Sequence, residues 1–98
     1  MILHIINKTK DATLIDQCMR YCSQGDSVLL VEDGVYLALT SSPSLPSELS
    51  NDITLYALKE DLIVRGLELD KVQMNVKPVH MSEYIELTAS HSKVINWA

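Results

Sequence analysis

Short aliphatic runs, each the length of one buried strand, recur along the chain with helix-spaced segments between them. Ile2–Ile6, Val28–Val31 and Ile53–Ala57 are such runs, and Val72, Met74 and Val76 give a period-two stretch within 72–79, closed by Pro78. Uninterrupted aliphatic runs fit strands covered on both faces. Between the first two, Ile15, Cys18, Met19 and Cys22 follow i, i+3, i+4, i+7, with Asp16, Gln17, Arg20, Ser23 and Gln24 opposite. That spacing predicts a helix over 11–24, started by Thr9 or Asp11 and stopped by Gly25.

The second strand runs into Glu32-Asp33-Gly34 and then Val35–Leu39, a short second helix. Residues 40–52, "TSSPSLPSELSND", read as a loop with one turn of helix at most. After the third strand, "LKEDLIVRGL" places Glu60 and Asp61 in a first helical turn, Arg65 in the last and Gly66 at the stop, as the helix dipole favours. Ser82 is the expected cap of a last helix whose apolar side is Tyr84, Leu87, Thr88 and His91, and "KVINWA" adds a fifth short strand. Strands alternating with helices over short connections specify right-handed crossovers. The predicted fold class is α/β: a small, doubly wound three-layer sandwich with a mostly parallel sheet of four to five strands, in a single domain, 1–98.

Charge and length narrow the function. Eight basic against 13 acidic residues give a net charge of −5, and the basic residues are scattered, so direct nucleic-acid binding is not expected. Met1–Ile6 is too short for the apolar core of a signal peptide and has no basic flank, and no run approaches the ~20 residues of a membrane span. The expected location is cytoplasmic, where two Cys are free thiols. At 98 residues and 47% hydrophobic, the chain is expected to leave apolar surface uncovered, which suits a permanent partner.

Ligands of doubly wound sheets bind beyond the carboxyl ends of the strands, here Asn7–Asp11, Glu32–Gly34 and Leu58–Asp61. None has phosphate-loop spacing, and the three glycines are isolated, so no nucleotide cofactor is expected. Glu32 and Asp33 are candidate paired carboxylates, but neighbours at a strand end point apart, and the stronger reading has Asp33 capping the helix with Glu32 solvated. Cys18 and Cys22 share one helix face, in C-x-x-x-C spacing that suits redox or persulfide chemistry. Against this, both lie on the apolar stripe, where a thiol packs as a small hydrophobe, and toward the negative end of the dipole. As a metal site the pair lacks two further ligands nearby in sequence, so no metal is expected. His4, His80 and His91 form no metal or nucleophile motif. Trp97 is read either as an interface anchor or as a local core plug.

"ILHIINKT", "EDGVYLAL", "LYALKEDLIVRGL" and a Trp near the carboxyl end, in that order over nearly the whole chain, resemble the TusB/DsrH family of DsrE/DsrF/DsrH-like sulfur-relay subunits. The resemblance implies a hetero-oligomer with TusC-like and TusD-like sisters, two copies of each, with no cofactor. That complex takes persulfide sulfur from TusA and passes it to TusE, toward 2-thiouridine at the tRNA wobble position. In sulfur-oxidising bacteria the DsrE/DsrF/DsrH version serves dissimilatory metabolism instead. The principal sulfur-carrying Cys lies on the TusD/DsrE subunit, so this chain is expected to be non-catalytic. DsrH-type members carry a Cys in the first helix, and Cys18 matches it as candidate persulfide carrier, with Cys22 weaker. Glu32, Asp33, Tyr36 and Trp97 then read as interface candidates, with Lys59, Glu60, Asp61 and Arg65 at the same surface. A free-standing flavodoxin-like ligand domain is the third reading, disfavoured by the missing phosphate loop.

Overall fold

The computed structural model describes residues 1–8, 12–40 and 53–97. Five strands, β1 Ile2–Ile6, β2 Ser27–Leu30, β3 Thr54–Leu58, β4 Val76–Val79 and β5 Lys93–Trp97, form one sheet in the order β4-β3-β2-β1-β5. Every pairing is parallel. Helices α1 Ala12–Tyr21, α2 Lys59–Val64 and α3 Met81–Ser90 join them, with 3-10 segments at Glu32–Ala38 and Leu69–Lys71.

Right-handed crossovers explain the layering. From β1 to β4 the chain steps one way across the sheet, so α1 and α2 fall on one face. There Ile15, Cys18 and Leu62 pack with Ile6, Val28, Leu30, Leu55 and Ala57. The α3 connection returns past β1 to β5 and covers the opposite face, where Tyr84 and Leu87 meet Leu3, Ile5, Leu29 and Val79. The predicted three-layer α/β sandwich is the observed one. Among the described residues, no helix is long and apolar enough to cross a membrane.

Several boundaries differ from the sequence expectation, each for a local reason. The first helix ends at Tyr21, not at 24, because the Ser23 N–H is drawn onto the Asp26 carboxylate at 3.0 Å. Its expected caps, Thr9 and Asp11, lie outside the described residues, as do residues 41–52. The second helix is 3-10 and starts at Glu32, with Val31 as its cap residue and no side-chain cap, so Asp33 is not the N-cap. The fourth strand covers only Val76–Val79 and Pro78 lies inside it, which an edge strand tolerates. Residues ahead of it clamp another segment instead: Gln73 N–H donates to Ala38 O at 2.8 Å and Thr40 N–H to Lys71 O at 2.8 Å. His80, not Ser82, caps α3, and the Glu83 carboxylate accepts the His80 N–H at 3.1 Å. The expected apolar side of α3 holds: Tyr84, Leu87, Thr88 and His91 are its half-buried positions.

At the end of β2 the chain turns on Glu32, whose φ of 50° is in the left-handed region. The turn is held by Val31 N–H on Ile6 O at 3.0 Å and Gly34 N–H on Val31 O at 2.8 Å. A side chain there carries a strain cost, so Glu32→Gly is expected to raise unfolding free energy by about 1 kcal/mol in a urea titration. A lower value would show that the Glu32 side chain contributes more than its backbone costs.

Candidate functional site

The carboxyl ends of β2 and β3 bring the acidic candidates together, but engage them with one another. The Asp61 carboxylate accepts the Glu32 N–H at 2.6 Å. Arg65 reaches Asp33 at 3.2 Å and Asp61 at 3.6 Å. Asp33 therefore sits in a partly exposed ion pair, and Glu32 is exposed with its backbone satisfied. Glu60 lies at the start of α2 and accepts the Met81 N–H at 2.8 Å, tying α2 to the first turn of α3. That hydrogen bond is the main reason its carboxyl titrates below the ordinary value. These carboxylates are thus held by Arg65 and by backbone N–H groups.

A second constellation lies under α1. His4, in the middle of β1, is fully buried, and a buried imidazole needs partners. Its Nε2 meets Asp26 Oδ2 at 2.9 Å, which assigns that nitrogen as the N–H donor. The remaining Nδ1 lone pair accepts the Trp97 Nε1–H at 3.0 Å. Asp26, just ahead of β2, also accepts the Ile2 and Ser23 N–H groups, each at 3.0 Å. Burial pushes the Asp26 carboxyl up, but the hydrogen bonds from His4, Ser23 and Ile2 outweigh it and hold the group at about 2. Tyr21 closes the ring cluster, edge-on to both His4 and Trp97 with centroids 5.8 Å away in each case.

Cys18 and Cys22 are free thiols on the same side of α1, Cys18 fully buried and Cys22 half-buried just past the last turn. Cys22 N–H closes that turn on Cys18 O at 3.1 Å. A hydrogen bond between the two thiols raises the Cys18 pKa, assisted by burial, and lowers that of Cys22. Cys22 thus ionises first, with Cys18 as its donor. The sequence offered no further ligand near this pair, yet the fold supplies one: the two sulfurs and a ring nitrogen of His4 all lie within 4.8 Å of one another.

His4, Cys18, Cys22 and Trp97 are thus one cluster, whereas Glu32, Asp33, Asp61 and Arg65 form another, and Tyr36 stands exposed on the 3-10 helix. His80 lies 3.6 Å from Glu60, and His91 bonds Ser27 Oγ at 2.9 Å. Asp26 and Tyr21 were the residues that sequence reading missed. A His flanked only by aliphatics was the available signal for a hidden carboxylate. The outer layers also expose large apolar side chains, Ile63 and Val64 on α2 and Met81 and Ile85 on α3.

A family described as DsrH like protein matches residues 10–94. Protein TusB of Shigella dysenteriae serotype 1 (strain Sd197) is 33% identical over 96 residues, 98% of this chain and 100% of its own length. Protein TusB of Escherichia coli O1:K1 / APEC matches to the same extent, 33% over 96 residues. Among solved structures, the solution NMR structure of Protein Tm0979 from Thermotoga maritima superposes with a TM-score of 0.70 at 25% identity, covering 93% of this chain and 94% of that one. A protein of Methanobacterium thermoautotrophicum gives 0.75 at 15% identity over 97% and 96% of the two chains, a likeness of fold alone.

Proposed function

The chain belongs to the DsrH-like family, and from that premise we propose that it is a TusB-type subunit of a cytoplasmic sulfur relay. It joins TusC-like and TusD-like sisters in a hetero-oligomer, a heterohexamer with two copies of each. The assembly passes persulfide sulfur from TusA to TusE for 2-thiouridine formation at the tRNA wobble position. This subunit's part is structural, and the sulfur-carrying thiol belongs to a sister.

The observation that carries the structural reading is the burial of Cys18, at 0% exposure, with its proton held in the thiol pair. A persulfide carrier must present its sulfur to a donor and an acceptor in turn. The apolar side chains exposed on α2 and α3 support a partner-covered surface. Glu32, Asp33 and Tyr36, together with the uncovered part of Trp97, are the proposed contacts. Against the second reading, a DsrH-like subunit of sulfur oxidation with Cys18 as carrier, stands the ease of ionisation within the pair, which favours Cys22 over Cys18.

The test is a Cys18→Ser, Cys22→Ser double variant co-expressed with its sisters, with 2-thiouridine measured by mass spectrometry of digested tRNA. Thiolation is expected to stay within about twofold of wild type, since no interaction made only in a transition state has been removed. Loss of thiolation with assembly intact overturns the structural role. A gain of one sulfur atom on the Cys18 peptide after incubation with persulfidated TusA would establish the second reading.

A further inference from the structure

We propose that His4, Cys18 and Cys22 form a binding site for a soft d10 cation, Zn2+ in the first instance, held by the two sulfurs and by Nδ1 of the imidazole. The two sulfurs and one ring nitrogen of His4 converge there, with mutual separations of no more than 4.8 Å, and because Asp26 holds the proton on Nε2, Nδ1 is the nitrogen with a lone pair to offer. A tetrahedral zinc ion with ordinary Zn–S and Zn–N bonds sets such donors about 3.6–3.8 Å apart. The cluster is therefore within about 1 Å of that spacing, and rotation of the imidazole and thiol side chains is what brings the ligating atoms into place. Spacing of i, i+4 at the end of α1 puts both sulfurs on one side of the helix, and β1 carries His4 beneath them.

The imidazole is prepared for such a role. Asp26 holds Nε2–H at 2.9 Å, the carboxylate support that orients metal-ligating histidines and raises the basicity of the other nitrogen. That other nitrogen, Nδ1, has its lone pair occupied by one neutral donor, the Trp97 indole at 3.0 Å. Trp97 is half-buried on β5, an edge strand. Metal binding therefore requires the Trp97 ring, which packs on the core and against Tyr21, to shift and release that lone pair. The two sulfurs already lie within 4.8 Å of each other, and a cation replaces the thiol protons with its own charge, releasing them to solvent. Paired thiolates with imidazole select a soft cation over Mg2+ or Ca2+. Three protein donors leave a fourth position open. The site does not depend on which subunit carries relay sulfur.

Because Trp97 is the only tryptophan of the chain, the site carries its own reporter. The reduced, metal-stripped full chain is titrated with Cd2+, following ultraviolet thiolate-to-metal absorption and indole emission, and then displaced with Zn2+. One equivalent is expected to move both signals together. Cys22→Ser, at a half-buried position that spares the core, is expected to weaken binding by more than about 100-fold. Trp97→Phe removes the competing donor and is expected to tighten binding roughly threefold to tenfold, read by the absorption band. No binding at one equivalent, unchanged affinity in Cys22→Ser, or binding that leaves the indole emission still and is no tighter in Trp97→Phe, each overturns the site.

Discussion

Gly34→Ala is expected to lower the unfolding free energy by about 3 kcal/mol or more, the upper end of overpacking costs. A Cβ at this position would lie 2.1 Å from the carbonyl oxygen of Ile6 and 2.9 Å from its carbon. Both are backbone atoms of β1, a strand paired on each side, so neither can move aside cheaply. The 3-10 helix would have to lift away, taking Val35, Leu37 and Ala38 out of the core. Gly66→Ala is the control. Its φ of 68° disfavours a side chain, but nothing lies within 4 Å, so about 1 kcal/mol is expected. Urea titrations followed by circular dichroism compare the two. A Gly34→Ala loss no larger than that of Gly66→Ala would refute the close approach.

Asp26→Ala carries the second large effect, an expected loss of about 3–5 kcal/mol, because it leaves one buried and two part-buried donors without an acceptor. They are the His4 Nε2–H and the Ile2 and Ser23 N–H groups. The same carboxylate gives a pH signature. Its folded value, about 2, lies below the ordinary 3.8, so the folded protein binds fewer protons than the unfolded chain across that interval. The stabilisation is fully present above about pH 4 and is lost as pH falls through about 2. Asp26→Asn cannot titrate, so its stability should change less over that window than that of the native protein. Equal acid limbs for the two proteins would remove Asp26 from the account.

The layers were legible in the sequence because each relies on a local pattern. Aliphatic runs marked β1, β2 and β3, and the i, i+3, i+4 stripe marked α1. The misreadings came where a long-range hydrogen bond overrode local preference. Ser82 and Asp33 are good cap residues, yet the caps fell to His80 and Val31. Alternation through Val72 and Met74 imitated a strand, but Val72 bridges back to Leu39 just past the 3-10 helix, and Met74 is wholly exposed. The thiol pair was visible, while its association with His4 was not, since only the sheet brings residues so distant together. Asp26 looked like part of a turn after Gly25. Its role depends on β1 and β2 being neighbours, which no short window contains.

Hydrogen bonding between β1 and β5 also sets the timetable of maturation. The contact from Trp97 to His4 joins residues 93 positions apart, so β1, paired on both sides in the finished sheet, receives β5 only after β2, β3 and β4 have been made. Until then one edge of β1 lies open beside a ribosome, a window in which a chaperone or an incoming strand from another nascent chain can compete for it. Such distant closure also predicts slow refolding from denaturant, with the indole emission recovering late.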